Sequence, residues 1–344
     1  MSLSLQVPSG LSVLLILGVA AHAADVTVGT AVAHSGQKVN GFIKVPAGVD
    51  AGTDMPVIVI NGAKTGPVLS LISGSHGTEY GSIVALPKLA QTIDPAALSG
   101  TVVILPLVNV ASFLQKVPHR NPIDNRGLNN YPGKADGSQS ERAVAAIYEQ
   151  VIQKSDYVID YHGGDLDENI LPFAYWTKTN KEPIDTITRD MLLAFGLDMI
   201  VAKSGGGSLD STVISLGKPG ITVLGGRSGT AGTEDVQALV RGTTNVMRHL
   251  KMLPGTVPVE HPLWLAHYSV LKGDQEGIFY PVAVPRAYVT KGMTVGYITN
   301  FFGEKVSEIT APVSGVLIYI NSVPSVKKGD NLGYVGELAE PPIK

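Results

Sequence analysis

Short, unbroken apolar runs set off by glycine and proline recur through the first two thirds of the chain. They include Val57-Ile-Val-Ile60, Val68-Leu-Ser-Leu-Ile72, Val102-Val-Ile-Leu-Pro-Leu-Val108, Met199-Ile-Val-Ala202 and Ile221-Thr-Val-Leu224. Runs of this kind read as strands covered on both faces. Between them lie segments with helical spacing. One extends from about Gly81 to Ile93 with Pro87 inside it, where a proline bends a helix or marks its first turn. A second opens at Ser138-Gln-Ser-Glu141, a capping-box pattern, and carries Val144, Ile147 and Val151 at helical intervals. A third runs from about Glu234 to Leu253, with Thr233 as N-cap and Pro254 as stop. Buried strands separated by helices predict an α/β domain with a largely parallel, two-sided sheet.

From about Gly255 the pattern changes to short β-rich segments, and the chain repeats itself. Val289-Thr-Lys-Gly-Met-Thr-Val-Gly-Tyr-Ile298 matches Val326-Lys-Lys-Gly-Asp-Asn-Leu-Gly-Tyr-Val335. Two copies of one strand-turn-strand unit predict a small β-sandwich with internal two-fold symmetry. Such a sandwich resembles biotinyl and lipoyl domains, which implies a carrier role, but the hairpin at Val313-Ser-Gly315 lacks the lysine that would be modified, so packing or gating is expected instead.

The N-terminus carries the apolar run from Leu11 to Ala21, then Ala21-His22-Ala23 followed by Ala24-Asp25. That is the h-region and small-x-small cleavage site of a signal peptide, although residues 1–10 contain no Lys or Arg. The run is short of the roughly 20 residues a spanning helix needs. The expectation is an exported protein, periplasmic or secreted, divided into a signal peptide (1–23), an α/β domain (24–254) and a C-terminal β domain (255–344).

Composition narrows the chemistry. A net charge of −3 gives no electrostatic footprint for nucleic acid or an anionic membrane. With no cysteine, disulfides and thiolate ligands are excluded, so a transition-metal site must use His and carboxylate. Homo-oligomerisation is admitted by the sequence but not required by it.

Such groups occur in two places. Ser73-Gly-Ser-His76-Gly-Thr-Glu79 follows a strand and precedes a helix, so a tight turn holds an imidazole and a carboxylate together. In Tyr157-Val-Ile-Asp160-Tyr-His162-Gly-Gly-Asp165, His162 ends a strand and Asp160 shares its face. Singly, a solvated turn accounts for His76 and Glu79, and a core histidine accounts for His162. Jointly, three candidate ligands lie at strand ends, where open α/β sheets bind ligands. Three protein ligands leave a zinc position open for chemistry on a carbonyl. Asp160 is placed to orient His162 or to cap a turn. Residues 109–137 form a polar, proline-bearing loop in which Arg120 or Arg126 offers positive charge to an oxyanion. His119 reads as a loop residue, while His34, His249, His261 and His267 lie in surface or helical contexts.

His76-Gly-Thr-Glu79, Asn121-Pro-Ile-Asp124, Leu128-Asn129, Asp160-Tyr-His162-Gly-Gly-Asp165, Phe301-Phe-Gly-Glu304 and Ala311-Pro-Val-Ser-Gly315 together resemble the succinylglutamate desuccinylase/aspartoacylase family. That family belongs to the zinc carboxypeptidase-like hydrolases. The resemblance implies a mixed sheet flanked by helices, followed by a smaller, barrel-sandwich-like C-terminal β domain. It implies zinc on His76, Glu79 and His162, oxyanion stabilisation by Arg120, and substrate binding at Asn129, with Arg126 a further candidate from the loop. The implied reaction is hydrolysis of an amide in a small N-acyl amino acid.

Two departures stand out. Leu128-Asn129-Asn130 runs directly into Tyr131-Pro-Gly133, without the arginine the family places there. The late strand ends Thr222-Val-Leu224, where the family carries a general-base glutamate. Asp165, Asp167 or Glu168 in the base role, Arg227 in place of the lost arginine, and a protein with little activity all remain open. The alternative to a deacylase is therefore a metal-binding pseudoenzyme or small-molecule binding protein.

Overall fold

The computed structural model describes residues 24–129, 132–204 and 208–342. The expected signal peptide and the departure at Asn130-Tyr131 lie outside the described residues.

Strands β1 (Val26–Val28) and β2 (Ala31–Ala33) form a small hairpin. There follow β3 (Gln37–Val45), β4 (Thr53–Asn61), β5 (Lys64–Ser73), α1 (Tyr80–Thr92), β6 (Ser99–Leu105), α2 (Val110–Gln115), α3 (Gln139–Gln150) and β7 (Tyr157–His162). The chain continues through β8 (Glu168–Ile170), β9 (Phe173–Lys178), α4 (Ile184–Phe195), β10 (Met199–Ser204), α5 (Leu209–Ser215), β11 (Gly220–Leu224) and α6 (Thr233–His249). In space the order is β3-β4-β6-β5-β7-β11-β9-β10.

The centre of this sheet, β6-β5-β7-β11, is parallel. Its flank is not. β3 and β4 pair antiparallel because the short segment between them leaves no room for a crossover. β9 also runs against β11, since the chain reaches it from β7 through β8 without a crossover helix. The expected largely parallel sheet is thus mixed.

The apolar runs are continuous because successive residues serve different cores. Val102 and Ile104 of β6 pack with Leu86 and Leu89 of α1. Val103 and Leu105 pack on the other side with Val144 and Ile147 of α3. On β7, Ile159 and Tyr161 join the α1 side, and Val158 joins the α3 side. Period-two alternation then puts Asp160 and His162 on the face of Val158.

Of the expected capping box, the glutamate half is formed by a hydrogen bond, the Ser138 N–H donating to Glu141 Oε2 at 3.0 Å. Two helix expectations need correction. α6 stops at His249 rather than Leu253, and the polar loop after β6 begins with α2, whose N-terminus Asn109 caps through its side chain.

The last strands are β12 (Leu263–Lys272), β13 (Gly277–Pro281), β14 (Tyr288–Val289), β15 (Thr294–Thr299), β16 (Lys305–Thr310), β17 (Gly315–Asn321), β18 (Ser325–Val326) and β19 (Asn331–Ala339). β12 pairs parallel with β10, and β19, β17 and β14 extend the sheet beyond it. A second sheet, β16-β15-β13-β18, lies apart. Leu317, Ile320 and Val335 from the first and Phe279, Val295 and Ile298 from the second share one core. The repeat copies occupy equivalent places: β14 to β15 and β18 to β19 each turn at Lys-Gly and cross between the sheets, in opposite directions. β8 pairs with β17, so this β unit abuts the segment that follows His162. Among the described residues no helix is long and apolar enough to cross a membrane.

Candidate metal centre

The centre is assembled at the carboxyl ends of β5 and β7, neighbours in parallel register with Ser73 opposite Tyr161. After β5 the chain reverses at Gly74, whose φ of +74° is in the left-handed region that glycine adopts without strain. Gly77 then passes so close to α2 that an added Cβ would meet Phe113 N at 2.2 Å. The Gly77 N–H donates to Ser112 Oγ at 2.9 Å, and Asn109 Nδ2 donates to Ser75 O at 3.1 Å. These bonds fix the turn that presents His76 and Glu79. Glu79 is the N-cap residue of α1, yet its side chain makes no capping bond, because it points into the site.

There His76 Nδ1 lies 2.7 Å from Glu79 Oε1, and His162 Nδ1 lies 3.0 Å from Glu79 Oε2. The two imidazole rings stand 5.1 Å apart between centroids. One nitrogen from each and a carboxylate oxygen all fall within 4.8 Å of one another. Burial works against the charged form of Glu79, but the imidazoles of His162 and His76 outweigh it and hold the carboxyl down at about 2. Burial likewise disfavours His162 protonation, and Glu79 with Asp160 overcomes it, raising the imidazole well above its ordinary value. A buried carboxylate facing two imidazole nitrogens is a donor set suited to a divalent cation such as zinc.

The surroundings fit the same group. His162 Nε2, on the far side of the ring, stands 3.4 Å from Asp160 Oδ2. Asp160 is fully buried, and among the described residues neither of its oxygens has a hydrogen-bond partner. A carboxylate behind the second ring nitrogen is the arrangement that fixes the tautomer and orientation of a metal-bound histidine.

The remaining expected residues lie differently. Arg120 is exposed and donates from Nη1 to Asn125 O at 3.0 Å. Arg126 is exposed and paired with Glu141 at 3.0 Å. Neither forms a hydrogen bond or ion pair with the His-Glu-His set. Arg227 grips Asp235 through two bonds of 3.1 and 2.9 Å. Asn129 keeps a buried Oδ1 without a partner among the described residues. Leu224 stands directly beside His162 in the β11–β7 register, so an apolar side chain occupies that flank of the ligand.

His119, read from the sequence as a loop residue, proves to be part of the centre. Its ring centroid is 5.5 Å from that of His76, edge to face. Its backbone N–H donates to Asp165 Oδ2 at 3.0 Å, and its Nδ1 lies 3.1 Å from the same oxygen. The bond between Nε2 and Asp167, 3.2 Å long, is the main cause of a pKa raised to about 9, with partial burial opposing it and Asp165 assisting. Asp165 is completely buried and also accepts from the Thr78 hydroxyl and from Leu166 N at 2.7 Å. His119 adopts a φ of 59°, and no local sequence signal announces that conformation.

With this geometry the relatives can be placed. Residues 65–250 match the succinylglutamate desuccinylase/aspartoacylase catalytic domain, and the chain belongs to that family. It is 26% identical over 316 residues to the N-alpha-acetyl-L-2,4-diaminobutyric acid deacetylase of Halomonas elongata, covering 88% of this chain and 92% of the relative. The product-bound ectoine utilization protein EutE (DoeB) of Ruegeria pomeroyi superposes with a TM-score of 0.81 at 25% identity, over 87% of this chain and 95% of that one. A succinylglutamate desuccinylase/aspartoacylase structure from Rhodobacter sphaeroides shares the fold, with a TM-score of 0.80 at 22% identity, over 88% and 96% of the two chains.

Proposed function

We propose that the protein is a zinc-dependent deacylase that hydrolyses the amide bond of a small N-acyl amino acid. The observation that carries this reading is the convergence of His76 Nδ1, Glu79 and His162 Nδ1 from two adjacent strand ends. These three residues would hold zinc, which would supply a Lewis acid for polarising an amide carbonyl and easing deprotonation of water. The chain's own groups then have defined tasks. Asp160 holds the His162 ring so that Nδ1 faces the site. Thr78, through Asp165, ties the metal turn to the loop that carries His119. His119, charged by its two aspartates, brings positive charge beside His76, where negative charge builds on the carbonyl oxygen. Arg120, exposed and bonded to Asn125 O, is the other candidate for that task. Asn129, whose Oδ1 has no partner among the described residues, is the candidate to accept from a substrate donor.

The Halomonas relative suggests N-alpha-acetyl-L-2,4-diaminobutyric acid as the first compound to test. Export, resting on the apolar run from Leu11 to Ala21, belongs to the same proposal. The test is release of free amine from a panel of N-acyl amino acids, with and without prior chelation. Turnover that chelation abolishes and zinc restores supports the reading. Turnover untouched by chelation, or none across the panel, refutes it.

A further inference from the structure

We propose that Glu168 is the proton acceptor of the hydrolysis, a role that rests on the deacylase reading above. Opening an amide with water requires a group to take one proton from the water and deliver it to the departing nitrogen. The carboxylates around the metal set can be taken in turn. Glu79 is engaged by both imidazoles. Asp160 lies behind His162, on the side of Nε2. Asp165 has both oxygens occupied, by Thr78, Leu166 and His119. Asp167 is paired with His119. On the neighbouring strand, level with His162, there is only Leu224.

Glu168 differs from all of these. One oxygen, Oε2, accepts from Asp165 N at 3.1 Å, which anchors the side chain, and Oε1 takes no hydrogen bond among the described residues. Its backbone is fixed on both sides. Its carbonyl accepts from Ser228 N at 2.8 Å, and β8 pairs with β17 with Glu168 opposite Asn321. Two consecutive glycines place the Glu168 backbone close to the backbone that lies beside Glu79. A Cβ added at Gly163 would be 3.3 Å from Glu79 Cβ, and one added at Gly164 would be 2.3 Å from Glu168 O. A single peptide unit, with about 3.8 Å between its Cα atoms, therefore separates backbone beside the ligand from backbone beside Glu168.

The electrostatic setting agrees. Burial, then the charge of Glu79, raises the Glu168 carboxyl from 4.5 to about 7, against the opposing pull of the Asp165 N–H and His119. The groups facing it are Glu79, Asp165, Asp167 and His119 on the catalytic side, and Tyr175, Tyr319 and Tyr334 across the junction with the β unit. A carboxylate with a value near neutrality is matched to taking a proton and giving it back. In the step, the water oxygen bonds to the acyl carbon as one of its protons moves to Glu168 Oε1. The C–N bond then breaks, and that proton passes to the leaving nitrogen. A carboxylic acid and a free amine leave, and Glu168 returns to its ionised form.

The test compares the zinc-loaded full chain with Glu168→Gln. Expected are equal zinc content, a KM changed little, a kcat lower by about 10²–10⁴-fold, and loss of the acidic limb that the wild type shows. Independently of turnover, carboxyl NMR of metal-free protein labelled at glutamate should show one resonance titrating near pH 7 that is missing from Glu168→Gln. Should that variant lose its zinc or its fold, Glu168→Asp decides, with zinc retained and an intermediate loss of kcat expected. An active wild type whose Glu168→Gln form keeps both its kcat and its acidic limb overturns the inference alone. A wild type inert on every substrate overturns the deacylase reading, and this role with it.

Discussion

His162 Nδ1 lies 3.0 Å from Glu79 Oε2, although 83 positions separate the two residues in the chain. The contact exists because β5 and β7 are parallel neighbours that end at the same edge of the sheet. One strand ends in His162, and the other leads through a glycine turn to Glu79. Behind the histidine, Asp160 depends on the same strand geometry, and it gives the first prediction. Asp160→Asn should weaken zinc binding about 10- to 100-fold while leaving the protein folded, as measured by competition with a coloured chelator. Unchanged affinity would show that Asp160 has no part in orienting His162.

A second prediction concerns pH. The folded-state pKa of His119, about 9, lies above its ordinary value of 6.5, first through the bond to Asp167 and then through the charge of Asp165. The protonated imidazole therefore contributes stability that is fully present below about 6.5 and is lost as the pH rises through about 9. The metal-free wild type should exceed His119→Gln in urea midpoint near pH 6, and the gap should close near about pH 10. A gap that is constant or widens with pH would contradict the pairing.

The sequence made the metal set readable because all three ligands follow local rules: strand ends, flanking glycines and a short spacing at His76 and Glu79. His119 obeyed none of them. Its place depends on a positive φ and on a buried partner, Asp165, which lies 46 residues away. Helix α2 was hidden for a similar reason. It is only 6 residues long, too short to show a helical period, and its start depends on the Asn109 side chain, in a stretch otherwise rich in polar residues. The β repeat was visible as text, but its joining to the main sheet through β10 and β12 was not, since strand partners far apart in sequence leave no periodic mark.

A third prediction addresses the scaffold. Arg142 of α3 is buried and donates to Pro46 O, Gly137 O, Asp50 O and Ala51 O, besides pairing with Asp50 Oδ1 at 2.9 Å. It clamps the β3–β4 connection onto the helix that follows the polar loop. Arg142→Met should cost about 3 kcal/mol in urea unfolding, because Asp50 and four carbonyls lose their donor. Zinc stoichiometry at temperatures where the variant is folded should stay unchanged. A cost below about 1 kcal/mol would mean that water replaces the arginine there.

A fourth prediction uses Leu224, which lies beside His162 on β11 and packs with the cluster containing Phe173 and Leu265. Leu224→Glu puts a carboxylate into that partly apolar setting and should lower stability by about 1–3 kcal/mol. Combined with Glu168→Gln, it should return part of the lost kcat, since it restores a proton acceptor level with the ligand. A double variant no faster than Glu168→Gln alone would show that the flank of His162 is out of reach of the reacting water.

The most direct measurement is zinc content and deacylase turnover on one preparation of wild type and of His76→Ala. The account predicts about one zinc per wild-type chain, with amine release from an N-acyl amino acid, and loss of both in the variant. Turnover that survives in a zinc-free His76→Ala protein would contradict it.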